Sequence, residues 1–350
     1  MRSIQQRADE RSGRRSAPLA RAFVLAAGLG TRLRPLTGEV PKSLVPVCGV
    51  PLLAYALAAC AKHGLREVVV NAHWLAEQVS AWEGDREGVR VTVSVEQPVV
   101  LGTGGGLRHA AHLLEDRFVV LNADVLHDVD LAALLAATPR GGAVMALRRD
   151  AVRAERYGVV AADDTGTVVR LTNVASAPPR GAVQADTFFM GIHALDRSTL
   201  DLVSAGPADI VRTAYRMLVP ERKVRAVVDA GPWLDTGDLA TYLEANLAIL
   251  RRTVRTALDP HPRAAFARDG AGRITGDARA IGGEANGAVW VGPESRVDGR
   301  IEDAVIGRGS RVPQGADLLR VVVWDGVEVP PGAHRDAVFT PAGVVSLPAT

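Results

Sequence analysis

The chain has 350 residues, 47% of them hydrophobic and 23% charged, a length that predicts about two domains and an ample buried core. Its 41 Lys and Arg residues nearly balance 39 Asp and Glu, and much of the basic excess falls in the first 20 residues, so nucleic-acid binding gains no support. The sequence has neither an apolar run of about 18 residues nor an apolar signal core, and its two cysteines are too few for a disulfide framework or a zinc set, so we expect a cytoplasmic protein with no membrane partner.

The N-terminal residues 1–20 mix Arg, Ser, Gln and acids without an apolar period, which predicts a disordered arm. From Ala22 onwards, short apolar runs alternate with helical stretches. This alternation is typical of an α/β fold, and we predict a Rossmann-like, mostly parallel sheet across residues 21–252. The runs VVVNA at 68–72 and FVVLNA at 118–123 show no polar alternation, which predicts strands covered on both faces.

A different pattern begins after about residue 250. Residues 253–273 are rich in Pro, Gly and Ala, which predicts a linker. In residues 274–345, apolar anchors recur six apart, as at Ile306, Val312 and Leu318. A six-residue period predicts a β-helix, in which each coil of chain stacks on the previous one, with an irregular all-β tail as the alternative. Open coil ends need covering, so we expect a homo-oligomer.

The most informative stretch is FVLAAGLGTRLRPLTGEVPKSLVP, residues 23–46. A buried strand runs directly into a loop with Gly28 and Gly30, where small residues let backbone N–H groups approach a phosphate. The stretch lacks the third glycine of the dinucleotide fingerprint and the Gly-Lys-Ser/Thr of a P-loop, so neither NAD binding nor a P-loop ATPase is indicated. Arg32 and Lys42 add two cations. Lys42 is one of three lysines in an arginine-rich chain, which indicates a need for a compact charge.

An acidic side chain follows another predicted buried strand. Asp124 comes directly after FVVLNA and would project from the carboxyl end of its strand, where open α/β sheets bind ligands. Asp124 is therefore a candidate for either a metal ligand or a turn cap.

Several motifs, in order, resemble those of the sugar-nucleotidyltransferases, the enzymes that join a sugar 1-phosphate to a nucleoside triphosphate. The likeness runs through most of residues 22–250, and a hexapeptide tail, which forms a left-handed β-helix, accompanies family members such as mannose-1-phosphate guanylyltransferases. The matching segments are the signature loop (23–46), the second glycine loop (EQPVVLGTGGGL, 96–107), the metal aspartate segments (LNAD, 121–124; WLDTG, 233–237) and the sugar pocket (YGVV, 157–160; MGI, 190–192).

The resemblance implies roles for particular residues. Arg32, Lys42 and Asp124 would be catalytic, and Asp124 with Asp235 would bind Mg²⁺. The sugar would contact Asn122, Gly158 and Gly191. The nucleotide would contact small residues of the two glycine loops: Ala26, Ala27, Gly28, Gly30, Thr31, Gly102 and Thr103.

The implied reaction is transfer of a nucleotidyl group, expected to come from GTP, to a sugar 1-phosphate, which yields a nucleoside diphosphate sugar and pyrophosphate. UTP with a modified sugar 1-phosphate is the alternative. The acceptor phosphate has a second pKa of about 6 and is already mostly a dianion at neutral pH, so the reaction needs no general base. Catalysis then rests on positioning and charge: Arg32 would hold the leaving pyrophosphate, and Lys42 would lie between the two substrates.

One segment departs from the family pattern. After YGVV, family members usually carry Glu-Lys-Pro, whose charges bind the sugar and its phosphate, and this chain has Thr172 and Asn173 at that place. Another cation must neutralise the sugar phosphate, because an unpaired anion in a partly dry cleft is costly. We expect Arg170 to supply it, as a sugar-binding residue; the other candidates are Arg153, Arg156 and Arg180. In its LGTGGGL and LNAD segments, the chain resembles uridylyltransferases for modified sugars and guanylyltransferases for heptose phosphates more than the common glucose enzymes. The acceptor is therefore expected to be an unusual sugar.

Two other functional classes are alternatives to a nucleotidyltransferase. Some relatives of this family are regulatory subunits that bind sugar nucleotides without turnover, but the retained Arg32, Lys42, Asp124 and Asp235 argue against that role. Acyl transfer on the tail is the other class. The tail contains His334 but only about three turns of repeat, which is short for an acyltransferase site.

Overall fold

The structure is a computed structural model that describes residues 20–258, 266–268, 274–276 and 280–347. The arm predicted over residues 1–20 lies outside the described residues, except for Ala20, which begins the first strand. Within the described part of the chain, no helix has the length and apolar character needed to cross a membrane.

Strands and helices alternate through the described residues before 259, as the apolar pattern predicts. The strands are β1 (Ala20–Leu25), β2 (Pro46–Val47), β3 (Val50–Pro51), β4 (Glu67–Ala72), β5 (Gly84–Arg86), β6 (Val89–Val95), β7 (Leu114–Asn122), β8 (Val125–His127), β9 (Ala143–Arg149), β10 (Val160–Asp163), β11 (Val168–Leu171), β12 (Ala175–Ser176), β13 (Val183–Gln184), β14 (Thr187–Asp196), β15 (Val224–Val228) and β16 (Trp233–Asp235). The α-helices are α1 (Leu52–Lys62), α2 (Ala76–Ser80), α3 (Gly102–His109), α4 (Leu131–Ala137), α5 (Ala151–Tyr157), α6 (Arg216–Leu218) and α7 (Leu239–Leu250).

An eight-stranded sheet forms the centre of this region, in the order β15-β9-β14-β7-β1-β4-β6-β5. Strands β7, β1, β4 and β6 run parallel, and β9 with β15 forms another parallel pair. Strand β14 is antiparallel to both its neighbours, and β5 is antiparallel to β6. The predicted Rossmann-like, mostly parallel core is confirmed, with antiparallel insertions. The carboxyl ends of β1, β4, β6 and β7 meet at one edge of the sheet.

Burial on both faces explains the uninterrupted apolar runs of the inner strands. Phe23 and Val24 of β1 are both fully buried although their side chains point to opposite faces. On one side lies α1, in which the nine consecutive residues from Leu52 to Cys60 are buried. This helix ends just before Gly64, whose φ of +75° is the left-handed conformation that glycine tolerates after a helix.

Two small sheets flank the central one. Strands β8 and β16 form an antiparallel pair in which Asp235 lies opposite Val125. Strands β10 to β13 form a four-stranded sheet in the order β12-β11-β10-β13. The first of these sheets places the segment 233–237 beside the end of β7.

The described residues after 265 form nine further strands, which belong to two sheets. They are β17 (Phe266–Arg268), β18 (Ile274–Gly276), β19 (Glu284–Val291), β20 (Arg296–Val297), β21 (Arg300–Ile306), β22 (Arg311–Val312), β23 (Ala316–Val323), β24 (Gly332–Thr340) and β25 (Gly343–Ser346). Strands β19, β21, β23 and β24 pair in parallel on one side, and β20 pairs in parallel with β22 on another. This arrangement is consistent with the predicted short β-helix, whose hand stays a prediction.

The predicted linker between the central-sheet region and the β-helix is partly structured, and the two regions pack against each other. Residues 266–268, inside the predicted linker 253–273, form β17 and pair with β19, while 259–265 and 269–273 lie outside the described residues. Buried residues of α7, such as Tyr242 and Leu243, share one continuous hydrophobic core with the β-helix. The division into separate domains stays a prediction.

Candidate active site

The first glycine loop leaves the carboxyl end of β1. The backbone N–H groups of Ala26 and Ala27 both donate to Oδ1 of Asn71, at 2.6 and 3.2 Å. A Cβ added at Gly28 would meet no atom within 4 Å, so this glycine borders open space through which a ligand can reach the backbone. Gly30 is needed for a different reason, because its φ is +63° and a Cβ there would lie 2.9 Å from the Thr37 methyl group.

Two buried polar residues connect this loop to the second glycine loop. Asn71 Nδ2 donates to Glu96 Oε1 at 2.7 Å, and Glu96 Oε2 accepts the N–H of Leu101 at 2.7 Å. Asn71 is 2% exposed and Glu96 is fully buried. Neither residue was among the predicted site residues. A polar residue at the end of a buried strand, the signal that singled out Asp124, is also present at Asn71 and directly after β6 at Glu96.

The second glycine loop forms the start of α3. Gly102 has a φ of +70°, and Thr103 Oγ1 accepts the N–H of Ile210 at 3.0 Å. A Cβ at Gly106 would lie 2.3 Å from Glu96 Oε1, so the absence of a side chain there lets the helix approach the buried carboxylate. The glycines of this segment therefore serve close packing as well as ligand access.

The two loops and the ends of β1 and β7 enclose a cleft at the carboxyl edge of the sheet. Its lining includes eight of the predicted site residues together with Asn71; the eight are Ala26, Ala27, Gly28, Lys42, Gly102, Thr103, Asn122 and Asp124. Seven other predicted residues are outside this lining: Gly30, Thr31, Arg32, Gly158, Arg170, Gly191 and Asp235.

A charged pair lies on one wall of the cleft. The Lys42 ammonium contacts Asp124 Oδ2, and the two side chains are 13% and 25% exposed. Lys42 stands in a single 3₁₀ turn, Lys42–Leu44, that follows Pro41. The pair gives Lys42 a fixed position in a partly dry environment, where each charge depends on its partner.

The second predicted metal aspartate lies on the strand next to Asp124. The backbone N–H and the Oγ1 of Thr236 donate to the Asp124 carbonyl at 3.2 and 2.8 Å, which ties β16 to the end of β7. Asp235 Oδ2 accepts the Tyr157 hydroxyl at 2.8 Å. Burial, and to a smaller extent this hydrogen bond, raises the pKa of Tyr157 to about 12. The hydroxyl therefore remains a donor at neutral pH.

Arg32 belongs to the same neighbourhood. A Cβ built at Gly237 would lie 3.0 Å from both carboxylate oxygens of Asp235 and 3.2 Å from Nη2 of Arg32. The absent side chain at Gly237 therefore leaves room for the guanidinium group beside Asp235. Although Arg32 is outside the cleft lining, it comes close to Asp235, one of the two predicted metal ligands.

Asp124 and Asp235 together suit a divalent cation that takes its remaining ligands from water and substrate phosphates. Among the described residues, no hydrogen bond reaches Oδ1 of Asp124 or Asp235, so each carboxylate offers one oxygen. The described residues contain no group of three or more His, Cys, Asp or Glu side chains that could hold a metal by themselves. Mg²⁺ commonly binds one or two carboxylates together with substrate phosphates and water, and two aspartates fit that pattern.

Three of the predicted sugar-pocket residues lie where a glycine backbone packs directly against another side chain. Gly191, with a φ of +77°, packs against Asn122, whose Nδ2 lies 2.6 Å from the position of a Cβ. Gly158, with a φ of +96°, packs in the same way against the Thr172 methyl group. The structure thus brings Asn122 and Gly191 together and sets Gly158 beside the segment that departs from the family pattern.

Three of the four candidate cations for the sugar phosphate occupy two places. Arg170 lies on β11 with an exposed side chain and pairs through its backbone with Ala161 and Ser176. Arg153 and Arg156 project from α5 next to the aromatic residues that precede and support Asp235. The Arg153 guanidinium lies 5.7 Å from the Trp233 ring centre, and the Arg156 guanidinium lies 5.4 Å from that of Tyr157.

Residues 21–252 match the nucleotidyl transferase family, so the chain belongs to that family and is a nucleotidyltransferase. Its relatives include a UTP–glucose-1-phosphate uridylyltransferase of Synechocystis sp., 27% identical over 90% of this chain and 85% of the relative. A mannose-1-phosphate guanylyltransferase of Mycobacterium tuberculosis is 31% identical over 85% of this chain and 83% of the relative. A probable mannose-1-phosphate guanylyltransferase 2 of Arabidopsis thaliana is 31% identical over 69% of each chain.

A solved structure supports the fold. The crystal structure of HddC from Yersinia pseudotuberculosis superposes with a TM-score of 0.53 and 20% sequence identity, and the match covers 66% of this chain and 100% of that one. At this level of identity the likeness concerns the fold alone.

Proposed function

We propose that this nucleotidyltransferase transfers the nucleotidyl group of GTP to a sugar 1-phosphate and releases pyrophosphate. The observation that carries the proposal is the cleft, in which two glycine loops, Lys42 and Asp124 converge at the carboxyl edge of the sheet in a chain of this family. The cleft offers backbone N–H groups and fixed charges, which suits phosphate chemistry.

The reaction needs charge stabilisation rather than a nucleophilic side chain. An oxygen of the sugar phosphate attacks the α-phosphorus of the nucleotide, and the bond from that phosphorus to the β-phosphate oxygen breaks. Pyrophosphate leaves with the electron pair. The attacking phosphate is already mostly a dianion at neutral pH, because its second pKa is about 6. The protein must therefore bring two anions together and stabilise the charge that develops between them.

Residues that line the cleft and residues of the segments around it divide this task. Lys42 binds the reacting phosphates, and Arg32, which lies near Asp235, holds the leaving pyrophosphate. Small residues of the two loops contact the nucleotide: Ala26, Ala27, Gly28, Gly30, Thr31, Gly102 and Thr103. Asn122, Gly158 and Gly191 shape the sugar pocket, and Arg170 neutralises the sugar phosphate, with Arg153 and Arg156 as alternatives near Asp235.

Asp124 and Asp235 are proposed to hold Mg²⁺ through their carboxylates. A bound Mg²⁺ supplies Lewis-acid stabilisation of phosphate oxygens. Tyr157 supports this role, because its hydrogen bond to Oδ2 of Asp235 orients the carboxylate. Lys42 balances the charge of Asp124 before substrates enter.

UTP is the second candidate for the nucleotide. The relatives named above include one uridylyltransferase and two guanylyltransferases, so the names of relatives favour GTP without excluding UTP. The base would lie near the second glycine loop, whose backbone is fixed by Glu96 and by the Ala208 carbonyl.

A screen of pyrophosphate release tests the function directly. Four nucleoside triphosphates are each combined with a panel of sugar 1-phosphates, with Asp124→Asn as the inactive control. We expect release with GTP and one acceptor. Release with UTP alone would move the assignment to the alternative. Binding of a sugar nucleotide without release from any pair would instead identify a regulatory subunit.

The assembly and compartment are further parts of the proposal. We propose a homo-oligomer, because the β-helix ends in an exposed edge strand, β25, whose Val344 is 51% exposed. Cys48 and Cys60 are both buried and free, which suits a reducing, cytoplasmic compartment. Light scattering of the purified chain tests the first statement.

A further inference from the structure

The loop that carries both candidate cations is anchored outside the central sheet. After Lys42, the chain enters the hairpin of β2 and β3, residues 46–51. Within the loop itself, Leu33, Leu36 and Val45 are buried in the core that also contains the β-helix. The position of Lys42 therefore depends on what holds this hairpin and this core.

Helix α7 and the β-helix hold the hairpin through a chain of hydrogen bonds. The indole Nε1 of Trp324, on the β-helix, donates to the Tyr242 hydroxyl at 3.0 Å. That hydroxyl donates to the Pro46 carbonyl at 2.5 Å. Next to it, Asn246 Oδ1 accepts the N–H of Cys48 at 2.8 Å. Tyr242 and Asn246 are fully buried, so these bonds have no competition from water.

A second contact from the β-helix reaches the tip of the hairpin. Gly49 has a φ of +73°, and a Cβ there would lie 2.4 Å from Cη2 of Trp290. The indole ring of Trp290, which is 4% exposed, thus packs directly on the glycine. Packing at this density transmits a displacement of the β-helix to the hairpin.

We propose that the C-terminal β-helix is a positioning part of the active site: Trp324 and Trp290 fix the hairpin 46–51 through Tyr242 and Gly49 and thereby hold Lys42 against Asp124. The inference rests on the proposed function, in which Lys42 binds the reacting phosphates. Trp324, Trp290 and Tyr242 are positioning residues that act through the hairpin. The β-helix then has a role in turnover within one chain, separate from any part in assembly.

Point substitutions test this coupling, because truncation would expose the buried face of α7. Tyr242→Phe removes both hydrogen bonds, and Trp324→Phe removes the donor of one. The matched control is Ser295→Ala, which removes two buried hydrogen bonds inside the β-helix and none to the hairpin. The first readout is amide hydrogen exchange over residues 42–52. It is independent of catalysis.

We expect faster exchange over residues 42–52 in Tyr242→Phe and Trp324→Phe and unchanged exchange there in Ser295→Ala. We also expect kcat to fall roughly tenfold in the first two variants, with the KM values of both substrates changed less than about threefold, because Lys42 acts on the reacting phosphates. Unchanged exchange, or an equal fall in kcat in Ser295→Ala, would overturn the proposal. Absence of turnover in the unmodified chain would refute the proposed function, whereas the exchange result would still decide the coupling.

Discussion

The Lys42 ammonium contacts the Asp124 carboxylate across a separation of 82 positions in the sequence. This ion pair joins the segment that follows the first glycine loop to the end of β7, and it places a compact cation at the edge where the strands end. The same carboxylate is a proposed ligand of Mg²⁺, so Lys42 and the metal would share one aspartate.

Removal of either proposed metal ligand should abolish most turnover without unfolding the chain. We expect Asp124→Asn and Asp235→Asn to lower kcat by about two orders of magnitude or more, because each loses a charged oxygen at the metal while the side-chain shape is kept. Activity titrated against Mg²⁺ measures the effect. Asp116→Asn, at an 89% exposed aspartate, is the control. Near-normal activity in either active-site variant would contradict the assignment.

The compact charge at Lys42 should not be replaceable by arginine. Lys42→Arg is expected to reduce kcat/KM by about a hundredfold, since a planar guanidinium cannot occupy the space of an ammonium paired with Asp124. Lys62→Arg is a matched control, because Lys62 also pairs with an aspartate, Asp128, but on the exposed surface. Equal activity of the two variants would assign Lys42 to an ordinary surface pair.

The hydrogen bond from the Asn71 amide to the Glu96 carboxylate can be tested by exchanging the amide and the carboxylate between the two positions. Asn71→Asp should lower the melting temperature and raise KM for the nucleotide, because two carboxylates would then face each other in a buried position. Glu96→Gln in the same chain should restore both, since the new amide can donate to the new carboxylate while its oxygen still accepts from Leu101. Thermal melts and nucleotide KM for both single variants and the double variant complete the cycle. A double variant no better than Asn71→Asp would show that this link does not hold the loops.

The cation of the sugar phosphate can be located by neutralising the candidates one at a time. We expect Arg170→Gln to raise KM for the sugar phosphate about tenfold and to leave KM for the nucleotide nearly unchanged. Arg153→Gln, Arg156→Gln and Arg180→Gln are tested in parallel. A selective effect at Arg153 or Arg156 would move the contact to the aromatic group beside Asp235. No selective effect at any of the four would leave Lys42 as the sole cation for that phosphate.

Acid should destabilise the protein through a buried histidine behind the site. His127, on β8, is 4% exposed, and its Nδ1 accepts the N–H of Val129 at 3.2 Å. Burial lowers the pKa of His127 to about 4. Because this value lies below the ordinary 6.5, the neutral form is favoured in the folded state, and stability present above pH 6.5 is lost as the pH falls towards 4.

The loss attributable to His127 amounts to about 2 kcal/mol by pH 4.5. We expect His127→Phe, which cannot be protonated, to be less stable than the unmodified chain at pH 7.5 and to lose less stability on acidification. Chemical denaturation at pH 7.5 and 4.5 measures the difference, with the exposed His112→Phe as control. Identical pH dependence of His127→Phe and the unmodified chain would contradict a titrating role for this side chain.

The sequence alone was sufficient for the class of protein and for the edge of the sheet where the cleft lies. Local periodicity identifies strands buried on both faces, and parallel strands must bring their carboxyl ends to one edge. Gly28 and Lys42 lie in the segment after β1, and Asp124 lies just after β7. All three line one cleft. The six-residue period likewise predicted the stacked strands after residue 280.

Only the tertiary structure decided how these pieces are fixed to one another. The Asn71–Glu96 link, the Lys42–Asp124 pair, the packing of Trp290 on Gly49 and the hydrogen bond from Trp324 to Tyr242 join residues far apart in the chain. Such contacts depend on how helices and coils pack, and no periodicity in the sequence records that packing. The absence of a side chain at Gly49 and Gly237 is likewise explained only by neighbours in space, the Trp290 ring and the Arg32 guanidinium.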